Sequence, residues 1–378
     1  MLQRDYIIDS FSKTKVRKMK PFIRNLLRMS VYQIKYMDAV PDSAVCNEAV
    51  KLAKRHKFAQ LSGFVNGVLR NIARNIDSVQ LDTLSIRYSM PQWIVDRFVA
   101  AYGEKKAEEI FKAFHNKSTI SIRTNLTRCT PDELRATLEA EGVTVTAVDE
   151  LNYAFVISGF DYLNGLQSFR DGLFYVQDIS SMLVAQTAAP KKGDYVIDVC
   201  AAPGGKSTHI AELLQGSGHV LARDLTDNKV DMIEENIERH GLNNMSAEVW
   251  DATVFDADSA GKADILICDL PCSGLGVLGR KKDIRYKMTP ESVDELAALQ
   301  RQILDTVHTY VKPNGVLVYS TCTIDEAENE DNVRWFIEKH PEFELDKSFA
   351  EGTGMKQILP GEHGSDGFFI ARFIKSKL

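Results

Sequence analysis

No run of about 18 apolar residues occurs anywhere in this 378-residue chain, and no secretory leader opens it. Both absences argue against a membrane or secreted protein, and a cytoplasmic one is expected. Cysteine is scarce: the six are Cys46, Cys129, Cys200, Cys268, Cys272 and Cys322, with no CxxC pair among them. They are too sparse for a disulfide framework and fit free thiols in a reducing compartment. Zinc is not expected either, because Cys268 and Cys272 would put ligands on a strand and a turn with no nearby pair to complete four. The dinucleotide pattern GxGxxG is missing, as are internal repeats and low-complexity segments.

What is present is the composition of a globular protein, 44% hydrophobic and 26% charged, in a chain long enough for two or three domains. The net charge of -6 hides an asymmetry. Residues 1–75 hold 15 Lys/Arg against 5 Asp/Glu, a balance of +10, and the remainder holds 31 against 47, a balance of -16. A basic N-terminal part on an acidic body suggests a module that faces nucleic acid, against the plainer reading of a solvated helix surface.

Residues 1–75 read as helical. Lys20, Arg24 and Arg28 fall four apart on one helix face, Pro41 ends that helix, and further helices are expected over about 43–54 and 63–75. Three helices with small apolar faces predict a thin core, and the module reads as shortened by its first helices. Over 76–165 helix and strand mix: Pro91 opens a helix, Ile120–Asn125 alternates like a strand, and Thr130 with Glu133 forms a capping box. This reads as a small α+β platform. From about residue 166 a βαβ pattern begins, with strands expected at 194–199, 219–223, 246–250, 263–268, 315–320 and 368–373, a doubly wound sheet.

The first of these strands runs into Cys200-Ala-Ala-Pro-Gly-Gly-Lys206 and then a helix. Gly204 and Gly205 let backbone pass close to a ligand, and the helix start offers free N–H groups. A phosphate loop is the first rival, but Cys200 stands where its first glycine is needed. Asp224, Asp251 and Asp269 end successive strands, where carboxylates can meet ribose hydroxyls and a purine amine. The set suits a nucleoside-containing cofactor without phosphates.

Cys272 and Cys322 each follow an apolar strand, and a thiol there can attack an electron-poor carbon. Thr323-Ile-Asp-Glu326 reads as a capping box, so Cys322 is expected at a helix N-terminus, which lowers a thiol pKa. Cys200 is expected to contribute backbone to the loop, Cys268 to be buried packing, and Cys46 and Cys129 to have no functional part. Downstream of Cys272, Arg280, Lys281, Lys282, Arg285 and Lys287 surround Tyr286, which suggests phosphate contacts and base stacking.

Cys200–Lys206, Asp269-Leu-Pro-Cys-Ser-Gly274, Ser320-Thr-Cys-Thr323, Tyr175–Ser181 and Asp366–Ala371 together resemble the Sun (Fmu) family of RNA (cytosine-5) methyltransferases, nearest to the bacterial 16S ribosomal RNA methyltransferase B type. Tyr32-Gln-Ile, Val40-Pro, Asn47–Val50 and Phe64–Arg70 resemble its NusB-like domain. Leu270 departs from the alanine more usual there.

The resemblance implies a Rossmann-like class I methyltransferase sheet over 166–378. It would be preceded by an all-α NusB-like RNA-binding domain over 1–75 and an α+β platform over 76–165. It implies S-adenosylmethionine bound by Cys200, Ala201, Ala202, Pro203, Gly204, Gly205, Lys206, Asp224, Asp251 and Asp269. It implies Cys322 as nucleophile on cytosine C6, Cys272 assisting proton loss and release, Asp269 at the base N3, 16S ribosomal RNA as substrate, and a monomer. Lys20, Arg24, Arg28, Arg280, Lys281, Lys282 and Arg285 are the residues expected to meet RNA. The alternatives are an exocyclic amino-methyltransferase, which needs no cysteine pair, and an RNA-binding scaffold with an inert fold.

Overall fold

Helices fill the basic N-terminal part of the chain. In the computed structural model, which describes residues 1–116 and 119–377, the chain divides into two compact units, Met1–Lys112 and Ala113–Leu378. The first holds α1 (Leu2–Phe11), α2 (Pro21–Tyr36), α3 (Asp42–Arg55), α4 (Ser62–Asn75), α5 (Leu84–Arg87) and most of α6 (Gln92–Ala113), which Gly103 interrupts at φ 75°. Proline at the start of α2 costs no hydrogen bond, because the first N–H groups of a helix have no partner inside it. Ile7 and Ile8 of α1 pack with Leu26, Leu27 and Val31 of α2, Ala49 and Ala53 of α3, and Leu69 and Ile72 of α4. The core is therefore built on four helices, not the expected three. α1 escapes a sequence reading because it buries only Gln3, Ile7 and Ile8, which make no repeating apolar stripe.

The same helix corrects the expected basic face. Arg28 makes a two-pronged ion pair with Asp5 of α1, Nε to Oδ1 at 2.6 Å and Nη2 to Oδ2 at 2.5 Å, so its charge is already engaged. Lys20 is the residue before α2, not part of its first turn, and it is exposed; Arg24 is half-buried.

The second unit begins with a four-stranded antiparallel sheet of β1 (Ile120–Thr124), β2 (Thr144–Val148), β3 (Leu151–Ser158) and β4 (Phe174–Val176), in the order β2-β3-β1-β4. Helix α7 (Pro131–Ala140) starts at the expected capping box, Thr130 and Glu133 bonding reciprocally, and packs Leu134 and Leu138 against Ile122 and Phe155. Two helices, α8 (Gln167–Arg170) and α9 (Ile179–Ala188), lead into the larger sheet.

That sheet has β5 (Tyr195–Asp198), β6 (His219–Asp224), β7 (Met245–Val249), β8 (Ala263–Asp269), β9 (Val311–Thr321), β10 (Phe343–Leu345), β11 (Met355–Ile358) and β12 (Phe368–Lys375). Its order is β10-β12-β9-β8-β5-β6-β7, with β11 also on β12. Strands β5 to β9 pair parallel, and β12 runs antiparallel to β9. Helices α10 (Gly205–Leu213), α11 (Asp227–His240), α12 (Ile284–Lys287), α13 (Pro290–Val307) and α14 (Glu330–Lys339) complete the unit. The central strands are apolar on both faces: Ile197, Leu266, Leu317 and Tyr319 enter one core, Val196, Ile265, Ile267 and Val318 the other. A sheet sandwiched between helices needs that continuous apolar run. Strands β10 and β11, at three and four residues, lie outside the expected set.

The strand order reverses at β5, where the chain goes to β6 and β7 on one side and to β8 and β9 on the other. Open α/β sheets bind ligands in the crevice beyond the C-terminal strand ends at such a point. Asp198, Asp224 and Asp269 are the last residues of β5, β6 and β8.

Candidate active site

Two cavities meet at Asp269. One, of about 290 Å³, is lined by Cys200, Asp224, Trp250, Asp251, Cys272 and Cys322 among others. The other, of about 190 Å³, lies between Tyr175, Gln177 and Asp178 and the loop that includes Ala201–Pro203, Gly205 and Lys206. The site residues expected from the sequence around the sheet are thus assembled at one place.

The glycine loop has its expected form. Gly204 takes φ 100°, a left-handed value that suits glycine, and a Cβ on Gly205 would stand 3.1 Å from the Tyr175 ring. Asp224 holds the loop from the next strand: it accepts from Ala202 N at 2.9 Å, Leu225 N at 2.7 Å and Lys229 Nζ at 2.8 Å. Asp251 is exposed and accepts from Thr253 N and Oγ1 at 2.9 and 2.7 Å, which fixes its carboxylate at the cavity wall. Leu225 and Trp250 add apolar surface beside these carboxylates and were not singled out from the sequence. They lie next to strand ends, where only folding shows that they face the same space.

Beneath the loop, Asp198 is fully buried and accepts from Ser207 Oγ at 2.5 Å and Cys200 N at 3.4 Å. Burial pushes its carboxyl up to about 7 despite the Ser207 bond. Between the ordinary aspartate value of about 4 and that raised value the folded chain holds a proton that the unfolded chain has lost. Stability from this group therefore falls as pH rises through that window and is level above it. Asp198→Asn removes the titration and keeps an acceptor. Urea unfolding should show wild type losing more stability than this variant between pH 5 and 7; parallel curves would mean that Asp198 is ionised throughout.

The thiols stand at the other end of the larger cavity. Cys272 Sγ and Cys322 Sγ are 3.2 Å apart, the one after β8 and the other after β9. The Cys272 hydrogen bond pulls the Cys322 pKa down, with Lys206 and Lys281 helping against burial and Asp269. The same bond, then burial, the charge of Cys322 and lastly that of Glu328, pushes Cys272 well up. The two shifts run in opposite directions, so Cys322 is the sulfur of the pair that ionises more readily. Lys206 Nζ bonds Asp269 Oδ2 at 2.7 Å, and Ser320 Oγ donates to Asp269 Oδ1 at 2.7 Å. Burial lowers the Lys206 ammonium pKa, but Asp269 outweighs it and the net shift is upward.

One expectation is overturned. No helix begins at Thr323; α14 starts at Glu330. Asp325 instead turns the chain by accepting from Ala327 N at 3.1 Å, Thr323 Oγ1 meets Ser273 Oγ at 2.9 Å, and Glu328 reaches the Cys272 turn. The Cys322 pKa is therefore lowered by its neighbours and not by a helix dipole.

The basic loop is corrected as well. Arg280 is exposed, but its charge is engaged by partners of this chain, Nε 2.6 Å from Asp366 Oδ2, Nη2 2.9 Å from Asp178 Oδ2 and Nη1 3.1 Å from Thr119 O. Arg285 is buried and donates to Leu278 O at 2.8 Å. Lys281 and Lys282 are exposed. A charge count cannot tell these cases apart, since the partners lie up to 161 residues away. All six cysteines are free, Cys46 and Cys268 are buried, and Leu270 is buried in the sheet core. Among the described residues Asp305, His308 and His340 bring possible ligand atoms within 4.8 Å of one another. They lie by the start of β9, whereas Cys322 follows its end.

The doubly wound sheet with one reversed strand, the glycine loop and the strand-end carboxylates define a Rossmann-like methyltransferase fold. Residues 185–374 match the family described as 16S rRNA methyltransferase RsmB/F, residues 2–74 the NusB family, and residues 90–160 the ferredoxin-like domain of RsmF/B-like methyltransferases. The chain is 38% identical to the probable ribosomal RNA small subunit methyltransferase B of Bacillus subtilis, over 98% of this chain and 86% of that one. It is 32% identical to ribosomal RNA small subunit methyltransferase B of Shewanella oneidensis, over 94% and 82%. Among solved structures, PH0851 superposes with a TM-score of 0.83 at 27% identity, over 99% of this chain and 86% of that one. NSun6 from Pyrococcus horikoshii, solved with the S-adenosylmethionine analogue SFG, superposes at 0.69 with 25% identity, over 76% and 99%. The chain belongs to the 16S rRNA methyltransferase RsmB/F family.

Proposed function

We propose that this protein methylates C5 of a cytosine in 16S ribosomal RNA, with S-adenosylmethionine as methyl donor and Cys322 as a transient covalent nucleophile. The observation that carries the reading is the pair of thiols 3.2 Å apart in the cavity that also holds Asp224 and Asp251. An exocyclic amino-methyltransferase has no use for two thiols. The relatives named for ribosomal RNA supply the substrate class.

The cavity's donor set fits the cofactor. Carboxylates suit ribose hydroxyls and an adenine amine, Leu225 and Trp250 offer apolar faces, and the nearby Lys229 is spent on Asp224, which disfavours a phosphate. Asp224 would take the ribose, Asp251 the adenine edge, and the 200–206 loop the amino-acid end. When bound, S-adenosylmethionine supplies an electrophilic methyl group.

The chain's own residues make the base reactive. Cytosine C5 is a poor nucleophile until the Cys322 thiolate adds to C6, which leaves an enamine able to take the methyl group. Asp269 is assigned to N3, with the Lys206 ammonium 2.7 Å away to supply the proton. Adduct formation consumes the thiolate that accepted the Cys272 hydrogen bond, so the half-buried Cys272 gives its proton to solvent and, as thiolate, accepts the C5 proton. The C5–H electron pair then restores the C5=C6 double bond, Cys322 leaves as thiolate, and the N3 proton returns by way of Asp269 to Lys206. The target base must leave its stack to reach this pocket.

We assign the same three parts as in the sequence: 1–75 for RNA affinity, 76–165 as platform and 166–378 for chemistry. Bisulfite sequencing of 16S rRNA incubated with the protein and S-adenosylmethionine tests the reading. One protected cytosine is expected; methylation at an exocyclic nitrogen, or none at all, would overturn it.

Asp224→Ala should weaken S-adenosylmethionine binding by about 1–3 kcal/mol, since it leaves ribose hydroxyls unpaired. Calorimetry showing unchanged affinity would remove Asp224 from the site. For the basic module, each phosphate that a side chain neutralises on single-stranded RNA steepens the log–log salt dependence by about 0.7, so Lys20→Ala with Arg24→Ala should flatten it by about 1.4. Arg28, tied to Asp5, should add little. An unchanged slope in the double variant would make this face ordinary solvated surface.

A further inference from the structure

Glu328 is fully buried and was no part of the expected site. Three donors converge on its carboxylate: Ser273 N at 2.8 Å, the Ser273 hydroxyl, and Gln300 Nε2 at 3.0 Å. Ser273 directly follows Cys272. Thr323, which directly follows Cys322, bonds the Ser273 hydroxyl at 2.9 Å. Because Ser273 gives its proton to Glu328, Thr323 must donate, and an O–H chain runs from the Cys322 turn through Ser273 to the carboxylate. Gln300 also donates to Pro271 O at 2.8 Å, which holds the other side of the Cys272 turn. Burial raises the Glu328 pKa on balance, and the three donors oppose it in favour of the ionised carboxylate.

The charges around the thiols are unequal. On Cys322 the charge of Asp269 is opposed by those of Lys206 and Lys281, whereas Glu328 acts on Cys272 against its ionisation. Two thiols at 3.2 Å share one proton at their first ionisation, and such a local field decides which sulfur keeps it.

We propose that Glu328 is a positioning residue that locks the two cysteine turns together and keeps the shared proton on Cys272, so that Cys322 is the sulfur that attacks. The proposal rests on the assignment of Cys322 as nucleophile. It gives the buried carboxylate a use that packing does not require, since an apolar residue would fill the space without desolvating a charge.

Glu328→Gln separates charge from shape. Glutamine's carbonyl can still accept from Ser273 N and Gln300, and its amide can donate to Ser273 if the hydroxyl chain reverses, so the fold is retained. The readout is the ratio of iodoacetamide labelling at Cys322 and Cys272 in the full chain, mapped by mass spectrometry across pH. Wild type should label mainly Cys322. Glu328→Gln should move the ratio toward Cys272 by roughly tenfold, the effect of about one pKa unit. Ser273→Ala, which cuts the hydroxyl chain but keeps the charge, should leave the ratio in place. A wild-type ratio and pH profile in Glu328→Gln overturns the proposal, and so does an equal shift in Ser273→Ala, which would trace the effect to geometry alone. A denaturing gel of Cys322→Ala with RNA tells the two readings apart. If that variant still forms an adduct, the nucleophile assignment has failed; if it does not and the labelling ratio is unmoved by Glu328→Gln, only the role of Glu328 has.

Discussion

Cys322→Ala should abolish both methyl transfer and any covalent RNA adduct, while Cys272→Ala should stop turnover and let the adduct accumulate. The two sulfurs face each other at 3.2 Å, so neither distance nor burial separates their roles. Their surroundings do. Cys322 is the sulfur beside the Lys206 ammonium and takes the hydrogen bond of Cys272, which favours its thiolate. Without Cys272 that hydrogen bond is gone, but the ammonium remains, so attack on C6 survives while nothing stands ready for the C5 proton. The adduct then has no exit. A denaturing gel with labelled 16S rRNA fragment and S-adenosylmethionine reads this directly. A retained adduct in Cys322→Ala together with its loss in Cys272→Ala would reverse the assignment.

The largest stability effect is expected at Arg123 of β1. Its guanidinium is wholly buried and pairs with buried Glu212 at 2.8 Å. It also donates to Gln177 Oε1 and Gly205 O, both at 3.0 Å, and lies over the Tyr175 ring. Removing one member of a buried pair costs about 3–5 kcal/mol, because the other charge stays uncompensated in the interior. Arg123→Ala leaves Glu212 facing His240, 3.4 Å away, an imidazole whose charged form burial disfavours. Urea unfolding should register that loss, and cofactor affinity should fall with it, since Gly205 begins the loop helix. A loss under about 1 kcal/mol would mean that water or a neighbour repairs the gap.

Asp178 and Asp366 show how much a local pattern leaves open. Both lie in recognisable motifs, yet only the folded chain has them gripping Arg280 from two sides, and burial, then Asp178, pushes Asp366 up to about 6. The Thr323-Ile-Asp-Glu326 capping box failed for a related reason. It is a valid local signal, but Ser273 and Asn329 offered the turn better partners than a helix could.

From its sequence alone the chain determined its α/β class, six of the eight strands of the main sheet, the glycine loop, the strand-end carboxylates and the two thiols that follow β8 and β9. Each of these is a local matter of period, turn chemistry or strand-end position, and local interactions are written in neighbouring residues. Tertiary structure alone decided which charges were spent and which sulfur ionises more readily. Arg28, Arg280 and Arg285 found partners or burial inside the protein, and Lys206 turned to Asp269 beside Cys322. Such choices depend on distance through space and on desolvation, and both are fixed only when residues such as Ser273 and Glu328, 55 apart in the chain, are packed together.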